Sequence, residues 1–133
     1  MAYSIVLLSF LIKIIIGYSF MEETNKLKNH VEKIIDLHEK KDFKKLSAHI
    51  SETEIKAETW FTEKRFYEVC EAIEKEIGNI TSLNYILTLN RKSTELTLWK
   101  ATYSKTDDEV LWNVIFEKNT HKIKLMHINW EQI

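Results

Sequence analysis

The sequence predicts an α+β protein in which three N-terminal helices pack on a curved, four-stranded antiparallel meander sheet. Apolar residues recur every three to four positions up to residue 78 and at every second position from residue 80 onward. The 133 residues include only 2 glycines and no proline, which favours long helices and simple hairpins. Helices followed by a meander are typical of a sheet with helices on one face.

Sequence signals at the ends of the helices support this order of elements. The apolar stripe of the first predicted helix consists of Leu27, Val31, Ile34, Ile35 and His38. Asp42 suits the N-cap of a short second helix, and Thr62 suits the N-cap of the third. Gly78 supplies the left-handed position that commonly ends a helix. The segment 51–61 is ambiguous and reads as a loop with a helical turn.

Four alternating segments predict the strands, joined by short polar connectors. The residues predicted to share one face are Leu83, Tyr85, Leu87 and Leu89 in the first strand, Thr97, Trp99, Ala101 and Tyr103 in the second, Val110, Trp112, Val114 and Phe116 in the third, and Met126, Ile128 and Trp130 in the fourth. Leu96 and Leu98 fall on the opposite face, which leaves open a bulge or burial on both sides of the second strand.

Residues 4–20 are nearly all apolar and are interrupted only by Lys13. A helix over this run would span about 25 Å, less than the hydrocarbon core of a bilayer. We therefore predict that residues 1–21 are a signal peptide or N-terminal membrane anchor and that residues 22–133 form an exported domain. Lys13 and the lack of a basic residue before the run count against this, and the alternative is a cytoplasmic protein that starts at Met21.

Composition excludes several classes of function. The net charge of −1 lacks the basic footprint of a nucleic-acid-binding protein. Cys70 is the only cysteine, so neither an intrachain disulfide nor a multi-cysteine metal site can form. His38 and Asp42 are spaced to share a metal but have no identifiable third ligand. No nucleophile, metalloprotease or phosphate-binding motif is found, so we assign no catalytic residue, metal or cofactor.

The step "EKKDFKKL" between the first two helices, a third helix ending at Gly78 and the four strands that follow resemble the nuclear transport factor 2-like superfamily. The resemblance covers about residues 22 to 132, and the third helix and the strands look like those of small uncharacterised bacterial members, many of which are made with leader peptides. It implies the cystatin-like α+β cone. Because this superfamily includes isomerases, transport factors and immunity proteins, the resemblance says little about chemistry.

Two groups of residues are candidate sites. The residues predicted to line a pocket for a small apolar ligand are His38, Tyr85, Trp99, Trp112 and Trp130. The alternative is that the tryptophan rings fill the core. The residues predicted to form an interface on the opposite face of the sheet are Leu96, Leu98, Leu111 and Ile115.

These observations favour a non-enzymatic, extracytoplasmic binding or interaction domain that forms a homodimer or binds another protein through its sheet. One alternative is a small-molecule-binding protein or enzyme that uses the pocket. The other is a cytosolic interaction or immunity-type protein translated from Met21.

Overall fold

The computed structural model describes residues 25–130, so the predicted leader lies outside the described residues. Within them the first helix, α1, covers residues 25–39. The other elements, in chain order, are α2 (Phe43–Ser47), α3 (Glu52–Ala57), α4 (Glu63–Glu76), β1 (Ile80–Asn90), β2 (Thr94–Tyr103), β3 (Val110–Glu117) and β4 (Ile123–Asn129). Within the described residues, 25–33 and 34–130 belong to two separate compact units. The α+β prediction is confirmed, but the prediction of three helices is one too few because α3 forms in the ambiguous segment.

The helix ends lie where the sequence signals predict them. The Thr62 hydroxyl accepts a hydrogen bond from the backbone N–H of Arg65 at 3.2 Å and caps α4. Gly78 follows this helix with φ of +89° and donates its N–H to the carbonyl of Ile73. A Cβ at Gly78 would collide with the Ser104 hydroxyl, so glycine is required both for its conformation and for its size. Asp42 caps α2 by accepting from Lys45 N–H.

The strands form one antiparallel sheet in the order β1-β2-β3-β4. Its inner face is the side on which β2 and β3 bury every second residue, namely Thr97, Trp99, Ala101, Tyr103, Val110, Trp112, Val114 and Phe116. Two hydrogen bonds satisfy polar groups in this layer. The Trp112 Nε1–H donates to the Tyr103 hydroxyl at 2.9 Å, and the Thr97 hydroxyl donates to the Val114 carbonyl at 3.1 Å.

The prediction that Leu87 and Leu89 share a face with Tyr85 is wrong. The β1–β2 register shifts between Tyr85 and Leu87, which leaves Ile86 as an extra residue in β1. Such a bulge reverses the alternation of side chains beyond it. Tyr85 lies opposite Trp99, whereas Leu87 and Leu89 lie opposite Leu98 and Leu96 on the other side of the sheet, the outer face.

A second irregularity affects β4. Phe116 pairs with Ile123, but the preceding residue, Ile115, pairs with Leu125, so one residue of β4 is extra at this point. As a result, Ile123 is buried on the inner face and Leu125 lies on the outer face. The start of β4 is also tied to the segment after α2, because the N–H of Ser51 donates to the carbonyl of Ile123 at 2.9 Å.

Candidate functional site

An apolar cavity of about 310 Å³ lies between the first half of α4 and the end of β4. Phe66 and Val69 of α4 form one wall, and Met126, Ile128 and Trp130 form the other. Phe61, Trp60 and Leu46 extend the lining from the preceding helices and loops. Its volume is at the lower end of the range for small-molecule sites, so it suits a small ligand.

His38 lies in the wall of this cavity, in the last turn of α1. Its side chain is only 7% exposed and meets the rings of Phe66 and Trp112 edge-on, with centroids 5.2 and 5.1 Å away. The described residues give the imidazole these ring contacts and no hydrogen bond. Burial lowers the pKa of His38 from 6.5 to about 4, so the imidazole is neutral at pH 7.

Three of the polar side chains around the cavity, those of Trp60, Arg65 and Trp130, have partners within the chain, and His127 and Asn129 also line it. The Trp130 Nε1–H donates to the Glu76 carboxylate at 2.8 Å, and the Trp60 Nε1–H donates to the Glu54 carboxylate at 3.1 Å. The Arg65 guanidinium donates to the Thr59 carbonyl. These bonds fix the two indoles with their N–H groups directed away to carboxylates and their apolar surface available to the cavity.

The structure places the five predicted pocket residues in three different surroundings. His38 and Trp130 line the cavity. Trp99 and Trp112 are 1% and 0% exposed and belong to the core, as the alternative interpretation of the sequence proposed. Tyr85 packs edge-on against Trp99 with ring centroids 5.5 Å apart and shares a hydrogen bond with the Thr88 hydroxyl. The predicted set therefore does not form one site.

Sequence reasoning did not identify the part of the cavity that α4 and the loop before it contribute. Phe66 and Val69 belong to the apolar stripe of α4 and look the same in sequence as residues packed in a core. Trp60 and Phe61 precede the helix in the segment that was ambiguous. The one sequence feature that could have indicated this part of the cavity is the density of aromatic residues over 60–67.

The outer face carries a run of directly opposed aliphatic side chains, one from each strand. This aliphatic row consists of Leu89, Leu96, Ile115 and Leu125. Its outer members Leu89 and Leu125 are 42% and 36% exposed, and the two central members are half-buried. Leu87 and Leu98 form a neighbouring pair on the same face, and Leu87 is 38% exposed. Leu111, the fourth predicted interface residue, lies on this face opposite Lys100.

Nearby charges on this face compensate each other. The Lys100 ammonium lies 3.1 Å from the carboxylate of Glu109, and this pair flanks Leu111. Asn113 and His127, which are opposite each other on β3 and β4, continue the face beside Leu98. The outer face is thus aliphatic along one row, with a compensated pair of charges beside Leu111 and Glu117 two positions beyond Ile115.

The sole cysteine has the environment of a core residue. Cys70 is 5% exposed, and its thiol approaches the backbone carbonyl of His38 at 3.7 Å. Burial raises the pKa of Cys70 to about 11, so the thiol stays protonated at neutral pH and is a poor nucleophile. Over residues 25–130, no group of three or more His, Cys, Asp or Glu side chains is arranged to hold a metal ion.

Comparisons with models of protein families, with curated proteins and with solved structures find no match to this chain. The fold and site therefore define only a class, an α+β domain with an apolar cavity on one side of an antiparallel sheet and exposed leucines on the other. Among the described residues, no helix has both the length and the apolar character needed to cross a membrane.

Proposed function

We propose that this chain is a non-enzymatic binding module that associates with a second copy through the outer face of its sheet. The aliphatic row carries the proposal, because it places an apolar side chain from every strand on one line across the sheet. Contiguous apolar patches on a protein surface are typical of interaction sites. The four leucines and isoleucines predicted from sequence, Leu96, Leu98, Leu111 and Ile115, all belong to this face.

The dimensions of the face indicate a weak dimer. Four strands spaced about 4.8 Å apart, with about 3.3 Å per residue along each strand, give a surface on the order of 400–500 Å² per copy. Two such surfaces together bury roughly 1,000 Å², near the lower limit for a specific interface. We therefore expect a dissociation constant in the micromolar range and exchange between monomer and dimer.

A second copy suits this face better than a charged partner does. A two-fold axis brings a patch against itself, so the patch must be self-complementary. Aliphatic side chains meet this condition, and the Lys100–Glu109 pair beside Leu111 compensates its own charge. We also propose that the fold is the cystatin-like cone of the nuclear transport factor 2-like superfamily, which the order of the helices and the meander supports.

Analytical ultracentrifugation of the full chain, as the cell processes it, tests the dimer. Leu89→Glu places a carboxylate at the edge of the aliphatic row, and two-fold symmetry introduces it twice in each dimer. Because an unpaired carboxylate is costly to bury, we expect dimerisation to weaken by about 100-fold or more. Ile55→Glu is the matched control, since Ile55 is 39% exposed but belongs to α3 instead of the sheet.

Two results would overturn the dimer proposal. One is a wild-type chain that stays monomeric at several hundred micromolar. The other is a dimer that Leu89→Glu and Ile55→Glu weaken equally, because the contact would then lie elsewhere. A circular dichroism spectrum of each variant establishes that the fold is retained, as expected for substitutions at exposed positions.

Export of this module is a separate part of the proposal. It is supported by the apolar run over residues 4–20, and the competing start at Met21 would give a cytoplasmic protein. N-terminal sequencing of the native protein distinguishes them. Gly17 and Ser19 are the small residues that a signal peptidase site requires, so cleavage after Ser19 indicates export. An intact N-terminus in the membrane fraction indicates an anchor, and a native chain that begins at Met21 and is recovered from the cytoplasm contradicts both.

A further inference from the structure

The cavity beside α4 holds a buried polar group that has no partner within the described residues. The imidazole of His38 is 7% exposed and lies against the rings of Phe66 and Trp112, neither of which satisfies both of its nitrogens. An imidazole that is neutral has one N–H donor and one acceptor nitrogen. Among the described residues, the fully buried side-chain atoms without a hydrogen-bond partner are Trp99 Nε1 and Asn113 Oδ1, and the nitrogens of His38 are not among them. A ligand that reaches the ring can therefore hydrogen-bond to it.

The surroundings of His38 determine which polar group fits there. Most of the lining is apolar, and besides His38 and the two indoles its polar members are Arg65, His127 and Asn129. Arg65 is exposed and donates to the Thr59 carbonyl. A carboxylate or phosphate placed against a neutral imidazole would lose its hydration without gaining an opposite charge. A hydroxyl fits because it both donates and accepts and carries no charge.

The volume of the cavity and its aromatic lining determine the rest of the ligand. A volume of 310 Å³ corresponds to the share of about ten water molecules, which suits a molecule of roughly ten to fourteen non-hydrogen atoms. Phe61, Phe66 and Trp130 present ring surfaces, against which a planar ring packs well.

We propose that this cavity binds a small, uncharged aromatic alcohol, with its ring among the aromatic and aliphatic walls and its hydroxyl hydrogen-bonded to His38. The low pKa of His38, about 4, supports this because it keeps the imidazole neutral over the physiological pH range. The site lies on the opposite side of the sheet from the aliphatic row, so it does not depend on the dimer, and Leu89→Glu should retain it.

Ligand-detected nuclear magnetic resonance with the full chain at pH 7.5 tests the proposal with three probes. They are 2-naphthol, naphthalene and 2-naphthoate, which share a ring system and differ in whether they carry a hydroxyl, no polar group or a charge. We expect 2-naphthol to bind with a dissociation constant on the order of 100 µM. We expect 2-naphthoate to bind at least tenfold more weakly than 2-naphthol.

Two variants separate the hydrogen bond from the cavity itself. His38→Phe keeps a ring of similar shape but removes both nitrogens, so 2-naphthol should bind about tenfold more weakly while naphthalene changes less than twofold. Val69→Trp fills the cavity and should abolish binding of both probes. Glu68→Gln, at an exposed position of the same helix, is the matched control and should change neither.

The outcomes decide between the proposal and its alternatives. Loss of the difference between 2-naphthol and naphthalene in His38→Phe supports the assigned hydrogen bond. The proposal is overturned if 2-naphthol does not bind, if His38→Phe weakens both probes equally, or if 2-naphthoate binds as well as 2-naphthol. If Val69→Trp does not fold, Met126→Trp on the opposite wall replaces it as the variant that fills the cavity.

Discussion

The two faces of the sheet are built from the same strands but differ in what limits substitution. On the inner face, Trp99 and Trp112 are almost completely buried, and the polar atoms of Thr97 and Tyr103 have hydrogen-bond partners. On the outer face, aliphatic side chains such as Leu89 retain 42% of their exposure. The inner face therefore determines whether the chain folds, whereas the outer face is free to determine what it binds.

Truncating one residue on each face should show the largest difference in the free energy of unfolding. Trp112→Ala removes a fully buried indole and leaves the Tyr103 hydroxyl without its donor, so it should reduce the free energy of unfolding by about 4 kcal/mol. Ile115→Ala, three residues further along β3 on the outer face, should reduce it by about 1 kcal/mol. Urea denaturation measures both, and equal losses would refute the distinction between the faces.

Acidification should lower the free energy of unfolding, because it protonates His38 against the inner face of the sheet. The folded state holds the pKa of His38 at about 4, against 6.5 for the free residue, so the unfolded state binds more protons between these values. The contribution of neutral His38 to the free energy of unfolding is therefore fully present above pH 6.5 and is lost as the pH falls toward 4. We expect a loss on the order of 3 kcal/mol over this range, measured by urea denaturation at a series of pH values.

Two variants test the origin of this pH dependence. Between pH 6.5 and 4, the free energy of unfolding of His38→Phe should fall less steeply with decreasing pH than that of wild type, because the variant lacks the imidazole. His127→Gln should retain it, because His127 is exposed on the outer face. Burial raises the pKa of Glu39, which acts in the opposite direction, so the difference between wild type and His38→Phe is the informative quantity. Identical slopes in the two would contradict the assignment.

The smallest expected effect concerns a single hydroxyl. Thr97→Val removes the donor to the Val114 carbonyl within the inner face and should cost about 1 kcal/mol of unfolding free energy. Thr94→Val, at the half-buried start of the same strand, is the control and should change stability by less than about 0.5 kcal/mol. Thermal unfolding of both variants measures the two losses of stability, and a larger loss in Thr94→Val would contradict the role of the buried hydroxyl.

Some features could be predicted because a few neighbouring residues determine them. Thr62 and Gly78 mark the ends of α4, since a cap depends on backbone groups within one turn. Alternation in β2 and β3 identified the inner face, since side chains of a regular strand point to opposite sides in turn. By contrast, α3 has no buried residue, so the apolar pattern that would have predicted it is absent.

Local patterns along the chain were enough to predict the α+β class, the order of the elements and the buried layer of β2 and β3. The packed structure was needed to show that Leu87, Leu89 and Leu125 join the outer face and that His38 and Trp130, without Trp99 or Trp112, line the cavity. The physical reason is that periodicity is local, whereas a bulge depends on the register with the neighbouring strand. Similarly, a cavity depends on how closely α4 and β4 pack, and residues distant in the chain set that distance.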